Sequence, residues 1–245
     1  MSPVDLRRSL FPDNTPESSL ATSYVHVHEL LGKAICDRRL RENAVITVDD
    51  LEVATGTSRS VVRESARVLG SLGLLQAKKR VGLRILPESE WNVFDPQVIR
   101  WRLESSDRAR QIRELLDVRL AIEPDAARLA SETGSAELAG QIISVAGALW
   151  TCGIEGNADE FSRNDALFHR LILHASGNSM FLRLSGVIRE SLHERNMNIL
   201  SESHASMEDV GLHLDLAHHV QRRQGDDAAT VAREIIRRTQ ADEAR

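Results

Sequence analysis

Two cysteines, Cys36 and Cys152, are all that the 245 residues hold. They stand far apart with no metal-type spacing around either, which argues against a disulfide framework and suits a reducing compartment. The opening segment, MSPVDLRRSLFPDNTPESS, has no apolar core of a secretory signal. The longest apolar-leaning run, Ile142–Trp150, is too short to span a bilayer. A glycine-rich phosphate loop, an HExxH helix and a Gly-x-Ser-x-Gly elbow are all missing. So are repeats of fixed period and low-complexity segments. What these absences leave is a cytoplasmic protein, not a membrane one, whose 42% apolar content can build a proper core.

The net charge of -5 hides an asymmetry. Residues 1–86 carry 13 basic against 10 acidic side chains, and the remainder carries 18 against 26. Within TSRSVVRESARVLGSLGLLQAKKRVGLRIL, Thr57 to Leu86, seven basic residues meet a single acidic one, Glu64. Such a patch on an acidic chain suits a polyanion, although a solvated helix face gives the same count.

Residues 1–20 are polar, carry prolines and show no periodicity, and are expected to form a flexible tail. Val27, Leu30, Leu31, Ala34 and Ile35 recur at helical spacing over Tyr24–Leu40. A second helix is predicted from Thr47 as N-cap to Gly56 as stop, and a third from Ser58, with Val62, Ala66 and Leu69 facing inward. Leu74–Ala77 and Leu83–Leu86 flank Lys-Lys-Arg-Val-Gly as a two-stranded hairpin. Residues 87–105 form a linker carrying Trp91 and Trp101. From residue 106 to the end the pattern is helical throughout, about six helices, the signature of a bundle. The fold class is therefore mainly α: a winged helix-turn-helix over residues 21–86, a linker over 87–105 and an all-α domain over 106–245.

In that arrangement the third helix enters the major groove. Arg59 and Arg63 stand one turn apart, opposite the apolar residues, and arginine suits bidentate contact with guanine or phosphate. Ser60 can donate or accept at a phosphate or base. Lys78, Lys79 and Arg80 sit at the wing tip, where Gly82 permits close approach to the minor groove or flanking phosphates. An ordinary amphipathic helix with surface arginines is the plain alternative.

TSRSVVRESARVLGSLGLL resembles the pattern that ends the DNA-binding domain of GntR-type bacterial transcription regulators: small-Ser-Arg-Ser/Thr-x-Val-Arg-Glu, then Leu-x-x-x-Gly-Leu. The resemblance implies DNA-contacting roles for Arg59, Ser60 and Arg63, with Glu64 holding the arginines in place. Fatty-acid-responsive relatives have an arginine early in the second helix where this chain has Asp49, so no DNA contact is carried over there. RQIRELLDVRLAIEPDAARLAS and EFSRNDALFHRLILHASGNSMF resemble the helical effector (FCD) domain of the FadR-like branch, and WNVFDPQVIRW resembles the linker of sugar-acid-responsive regulators.

Arg119 lies between Leu115, Leu116 and Ile122, where its fork would take a ligand carboxylate or, equally, pair with Glu123 one turn on. Asp165 and His169 stand four apart and project from one helix face, which taken alone is more often a surface hydrogen bond. The family resemblance implies a divalent metal (zinc, nickel or manganese) held by this pair and two later histidines. His213 is the choice for the third ligand, because it shares the inward face of Leu216, Ala217 and Val220. His174, His218 and His219 turn away toward solvent, and the last helix offers only Thr239 near the place of a fourth ligand. Asn178 reads as a helix C-cap or turn residue, and Trp150, Phe161, Phe168 and Phe181 as core.

The reading is a ligand-responsive repressor, not an enzyme. It binds an inverted-repeat DNA operator as a homodimer, because one small head makes too few base contacts. A small carboxylate, a sugar acid such as gluconate, is expected to alter its operator affinity. The alternatives are a metal-dependent enzyme using Asp165 and His169, for which no third group stands as a general base, and an architectural DNA-binding protein, which would not need a large acidic helical domain.

Overall fold

The computed structural model describes residues 3–11, 24–202 and 207–243. The chain divides into two units, Met1–Ala109 and Arg110–Arg245, each with its own apolar cluster.

The first unit holds α1 (Pro3–Leu10), α2 (Tyr24–Cys36), β1 (Val45–Ile46), α3 (Val48–Thr55), α4 (Arg59–Ser71), β2 (Leu75–Lys78), β3 (Gly82–Ile85) and α5 (Pro96–Leu103). The sequence sets α3 at both ends. Thr47 Oγ1 accepts from the Asp50 amide at 3.0 Å, the Asp50 carboxylate accepts from Thr47 N at 3.3 Å, and Gly56 closes the helix with φ 67°. Ser58 N-caps α4, which buries Val62, Ser65, Ala66 and Leu69 against α2 and α3. This is the winged helix-turn-helix order, and its hydrophobic periodicity made it visible in the sequence.

The wing has one strand more than expected. β3 is the centre of an antiparallel sheet in the order β1-β3-β2, and the two residues of β1 are too few to show alternation. Val81 N donates to Lys78 O at 3.1 Å to close the hairpin turn. Gly82 has φ 126°, and a Cβ there would lie 2.7 Å from the Ile46 carbonyl oxygen. The pairing of β3 with β1 therefore already requires glycine at this position.

α1 corrects the expected tail. Leu6 and Leu10, one turn apart, are buried in the first unit's core, and α1 packs on α3. Arg7 Nη1 donates to Ala54 O at 3.2 Å, and Arg39 Nη1 donates to Ser9 O at 2.5 Å, satisfying a carbonyl at the end of α1. Two leucines in an eight-residue helix give no period to detect. The rest of the expected tail, 12–20, lies outside the described residues.

Residues 87–105 are docked on this unit. Trp91 Nε1 donates to Leu86 O at 3.1 Å. Asp95 N-caps α5, which packs on α2, and the buried Trp101 donates from Nε1 to Glu29 Oε2 at 2.8 Å. The indole lies so close to Gly32 that a Cβ there would stand 2.5 Å from the ring.

The second unit is all helical among the described residues: α6 (Arg108–Thr133, begun just before the unit boundary), α7 (Ala136–Glu155), α8 (Ala158–Ala175), α9 (Ser179–Arg183), α10 (Ser185–Glu202), α11 (Met207–Gln221) and α12 (Gly225–Glu243). The helix expected over Ser179–Leu200 is interrupted at Leu184, the C-cap of α9. Asn178 is the N-cap of α9, accepting from Met180 N at 2.9 Å, and not a C-cap; Gly177, with φ 67°, makes the preceding turn. Phe161 and Phe168 are core and Phe181 packs on the core's edge, whereas Trp150 lies on the rim of the buried α7 stripe and is 37% exposed. α7 is long and apolar enough to cross a membrane by length and composition, which overturns the length argument drawn from Ile142–Trp150. Its Ile142, Ala146, Leu149 and Cys152 are packed in the unit's own core.

Candidate functional site

Among the described residues, each unit holds a cluster of candidate functional side chains. In the first, Arg59, Ser60 and Arg63 are exposed on the first turns of α4. A cleft of about 580 Å³ opens between the start of α3, the exposed face of α4 and the wing. Arg59, Arg63, Lys78, Arg80 and Gly82 all line it, so the fold brings five of the seven proposed DNA-contacting residues to one surface. Ser60, on α4, and Lys79, at the wing tip, are exposed but do not line the cleft.

The cleft also has polar lining to which the sequence reading gave no DNA contact, Thr47, Asp49 and Arg67. Arg59 Nη1 donates to Asp49 Oδ1 and lies 3.5 Å from Glu52 Oε2. Glu64 does not hold Arg59 or Arg63. It pairs instead with Arg67 through Nε at 3.0 Å and Nη2 at 2.5 Å, and that hydrogen bonding lowers its pKa.

The second cluster is buried between α6, α8 and α11. Asp165 and His169 stand one turn apart on α8, and α11 places His213 beside them; all three are buried. Asp165 Oδ1 lies 3.4 Å from His169 Nε2 and 3.3 Å from His213 Nε2, and the ligating atoms of the trio all fall within 4.8 Å of one another. The rings of His169 and His213 meet edge to face, with Phe168 against both. His174 and His218 are exposed, and His219 Nδ1 pairs with Gln224 at 3.0 Å. Thr239 is buried on α12 with Oγ1 donating to Ile235 O at 3.1 Å.

Both imidazoles are oriented from behind. His213 Nδ1 bonds the Asp209 carbonyl at 3.0 Å, and His169 Nδ1 bonds Glu123 Oε2 at 2.5 Å. A carbonyl can only accept, so His213 carries its proton on Nδ1. Glu123 is ionised: burial alone would raise its pKa, but Arg119 and His169 outweigh burial and hold it at about 2. Burial likewise opposes the charge on Asp165, yet hydrogen bonding to the two histidines holds its pKa well below the usual value. Burial pulls the His169 imidazole down, and Glu123 and Asp165 outweigh that to raise it.

Nε2 of each ring faces the Asp165 carboxylate: a ring protonated on both nitrogens donates to it, and a ring protonated on Nδ1 alone turns a lone pair toward it. Neither Nε2 has a partner other than Asp165 among the described residues. In the second state two lone pairs and a carboxylate converge in a buried site, an arrangement that a cation would join. Ligands at about 2.1 Å from a tetrahedral metal stand about 3.4 Å from each other, close to the two spacings from Asp165 to the imidazoles. Back-bonded imidazoles of this kind are the usual arrangement behind a metal ligand. The trio therefore fits a divalent metal with an N₂O donor set.

Arg119 joins the same network. Its guanidinium is buried, and Nε donates to Glu123 Oε1 at 2.6 Å. The two readings of Arg119 turn out to be compatible, because Nη1 and Nη2 are buried without a hydrogen-bond acceptor among the described residues. Two unmet donors on one charged fork match an incoming carboxylate.

The model of the bacterial regulatory proteins of the gntR family matches residues 23–85, and the FCD domain model matches residues 114–238, about half of the chain. The chain belongs to the gntR family of bacterial regulatory proteins. It is a DNA-binding transcription regulator and not an enzyme, and the resemblance read from residues 57–75 and from the helical half holds. The first match contains the cleft residues, and the second contains Arg119, Glu123, Asp165, His169 and His213. The chain is 23% identical over 182 residues to an uncharacterised HTH-type transcriptional regulator, YieP, of Escherichia coli strain K12, spanning 74% of this chain and 78% of the relative. It is 31% identical over 131 residues to the galactonate operon transcriptional repressor of the same organism, spanning 53% of this chain and 56% of the relative. A probable D-xylose utilization operon transcriptional repressor of Paenarthrobacter nicotinovorans is 26% identical, over 64% of this chain and 61% of its own length. Among solved structures, Escherichia coli McbR/YncC shares the fold at 15% identity and TM-score 0.53, covering 90% of this chain and 96% of that one.

Proposed function

We propose that this regulator is a cytoplasmic repressor whose grip on its operator is relaxed by a small carboxylate bound in the helical unit. The observation that carries the reading is the pair of buried, unmet Nη donors on Arg119, linked through Glu123 to the Asp165–His169–His213 trio. A carboxylate accepting from both nitrogens would satisfy them. Sugar acids are favoured as the class, gluconate and galactonate first, because the linker resembles that of sugar-acid regulators and one relative is a galactonate operon repressor.

Asp165, His169 and His213 would hold a divalent metal, zinc, nickel or manganese being suited to such N/O ligands. Bound there, the metal would supply a Lewis-acid anchor for an effector oxygen. Arg119 orients the carboxylate, Glu123 holds both Arg119 and His169, and Phe168 excludes water from the ring faces.

DNA reading is assigned to Arg59, Ser60 and Arg63, with Lys78, Lys79, Arg80 and Gly82 at the wing. A homodimer on an inverted repeat follows from the small size of one head. The test is calorimetric titration of gluconate and galactonate into protein with and without added zinc, alongside operator binding at fixed salt. Binding of a sugar acid that lowers operator affinity supports the reading. No heat, no stabilisation and no change in DNA affinity from either acid would reject the sugar-acid assignment.

A further inference from the structure

Within the DNA-reading cleft one residue has the wrong charge for a phosphate site. Asp49 lies in the first turn of α3, is exposed, and shares the cleft with Arg59, Arg63, Arg67, Lys78 and Arg80. A carboxylate there repels the DNA backbone, so backbone binding gives it no use. Its position is nevertheless well defined. The Thr47–Asp50 capping box fixes the start of α3, the positive end of that helix favours an anion, and Arg59 Nη1 is bonded to Oδ1, with Glu52 supporting from one turn further on.

We propose that Asp49 is a specificity-determining residue that reads a cytosine amino group next to the base read by Arg59. The proposal rests on α4 being the reading helix. A carboxylate has about four acceptor sites, and Arg59 takes one of them. In the major groove only the amino groups of cytosine and adenine can donate to the others. Guanine presents two acceptors, and thymine an acceptor and a methyl group. Adenine carries an acceptor, N7, beside its amino group, which repels a carboxylate; cytosine does not. The same ion pair engages Nη1 of Arg59 and restricts the guanidinium to fewer orientations, leaving its other edge for guanine. Asp49 and Arg59 thus form one unit that accepts at one base and donates at its neighbour.

Selection from a random duplex pool tests this with wild type, Arg59→Ala, Asp49→Ala and Asp49→Asn. Wild type should select a site in which a cytosine adjoins the position relaxed by Arg59→Ala. Asp49→Ala should lose preference at that cytosine by about tenfold while binding non-specific DNA more tightly, since a negative charge is gone. Asp49→Asn should change the preference there from cytosine to adenine, because an amide can both accept from N6 and donate to N7. The proposal is overturned if both Asp49 variants select the wild-type site with unchanged discrimination. It is equally overturned if they lose affinity uniformly, which would make Asp49 a brace for Arg59 only. Failure of wild type to select any site would reject α4 as the reading helix, a distinct result.

Discussion

His213 Nδ1 lies 3.0 Å from the carbonyl oxygen of Asp209, one turn back on the same helix. That bond places a proton on Nδ1, so the neutral form of the ring offers its lone pair at Nε2 to the buried trio, and α11 both orients and supplies one of the candidate ligands. Zinc, nickel or manganese added to protein purified without a histidine tag should bind at one ion per chain and raise the melting temperature. His169→Ala should abolish both effects. Elemental analysis and thermal melts check this; metal-independent melting of the wild type would leave the trio as polar lining of an effector pocket.

Glu123 should make the helical unit acid-sensitive in a defined window. Its folded pKa of about 2 lies below the ordinary 4.5, so its contribution is present above about pH 4.5 and is lost as pH falls toward 2. The size is on the order of 3 kcal/mol. Denaturant melts of wild type and Glu123→Gln across pH 2–6 should converge at the acid end. The same variant should weaken metal binding about 10- to 100-fold, as loss of a partner behind a ligating histidine does. A constant stability difference between the two proteins over this range would refute the assignment.

Arg119→Met leaves the buried Glu123 with one cationic partner fewer and should destabilise the unit by about 3–5 kcal/mol. Arg119→Lys keeps the charge but not the fork. It should fold better than the methionine variant and still fail to bind the effector, so chemical melts and calorimetry together separate the structural role from the ligand role. Equal effector affinity in wild type and Arg119→Lys would remove Arg119 from the effector site.

On DNA, Arg59→Ala should cost about 1–3 kcal/mol on the selected site and relax one base position. Lys79→Ala should instead weaken all sequences alike and reduce the slope of log affinity against log salt by about one. Fluorescence anisotropy over a salt series distinguishes the two patterns, and a sequence-specific loss in Lys79→Ala would contradict its placement on phosphate.

What could be read in the sequence was local. The turns of α4, the caps Thr47 and Ser58 and the spacing of Asp165 and His169 all lie within one helical repeat, so their geometry follows from the period. Contacts between distant segments were hidden. Glu123 reaches His169 across 46 positions, and sequence reasoning had it only as a partner for Arg119. The Asp49–Arg59 pair spans ten positions and depends on the angle between two helices as well as on a long side chain's rotamer. α1 and β1 went unseen because eight and two residues are too short to show a pattern. Glu64 was expected to hold Arg59 and Arg63, but it pairs with Arg67, one turn further along its own helix.

Trp101 over Gly32 bears on where the polypeptide can be divided. The family match ends at residue 85, and a reading head cut there would look complete by alignment. Such a fragment would lose Val98 and Trp101 from its core, strip the cover from α2 and leave Glu29 without its indole donor. The first unit's contacts run past α5, with Glu104 on Lys33 and Asp107 on Arg38, so a fusion or truncation that treats residues 87–105 as a dispensable tether would uncover the apolar face of α2.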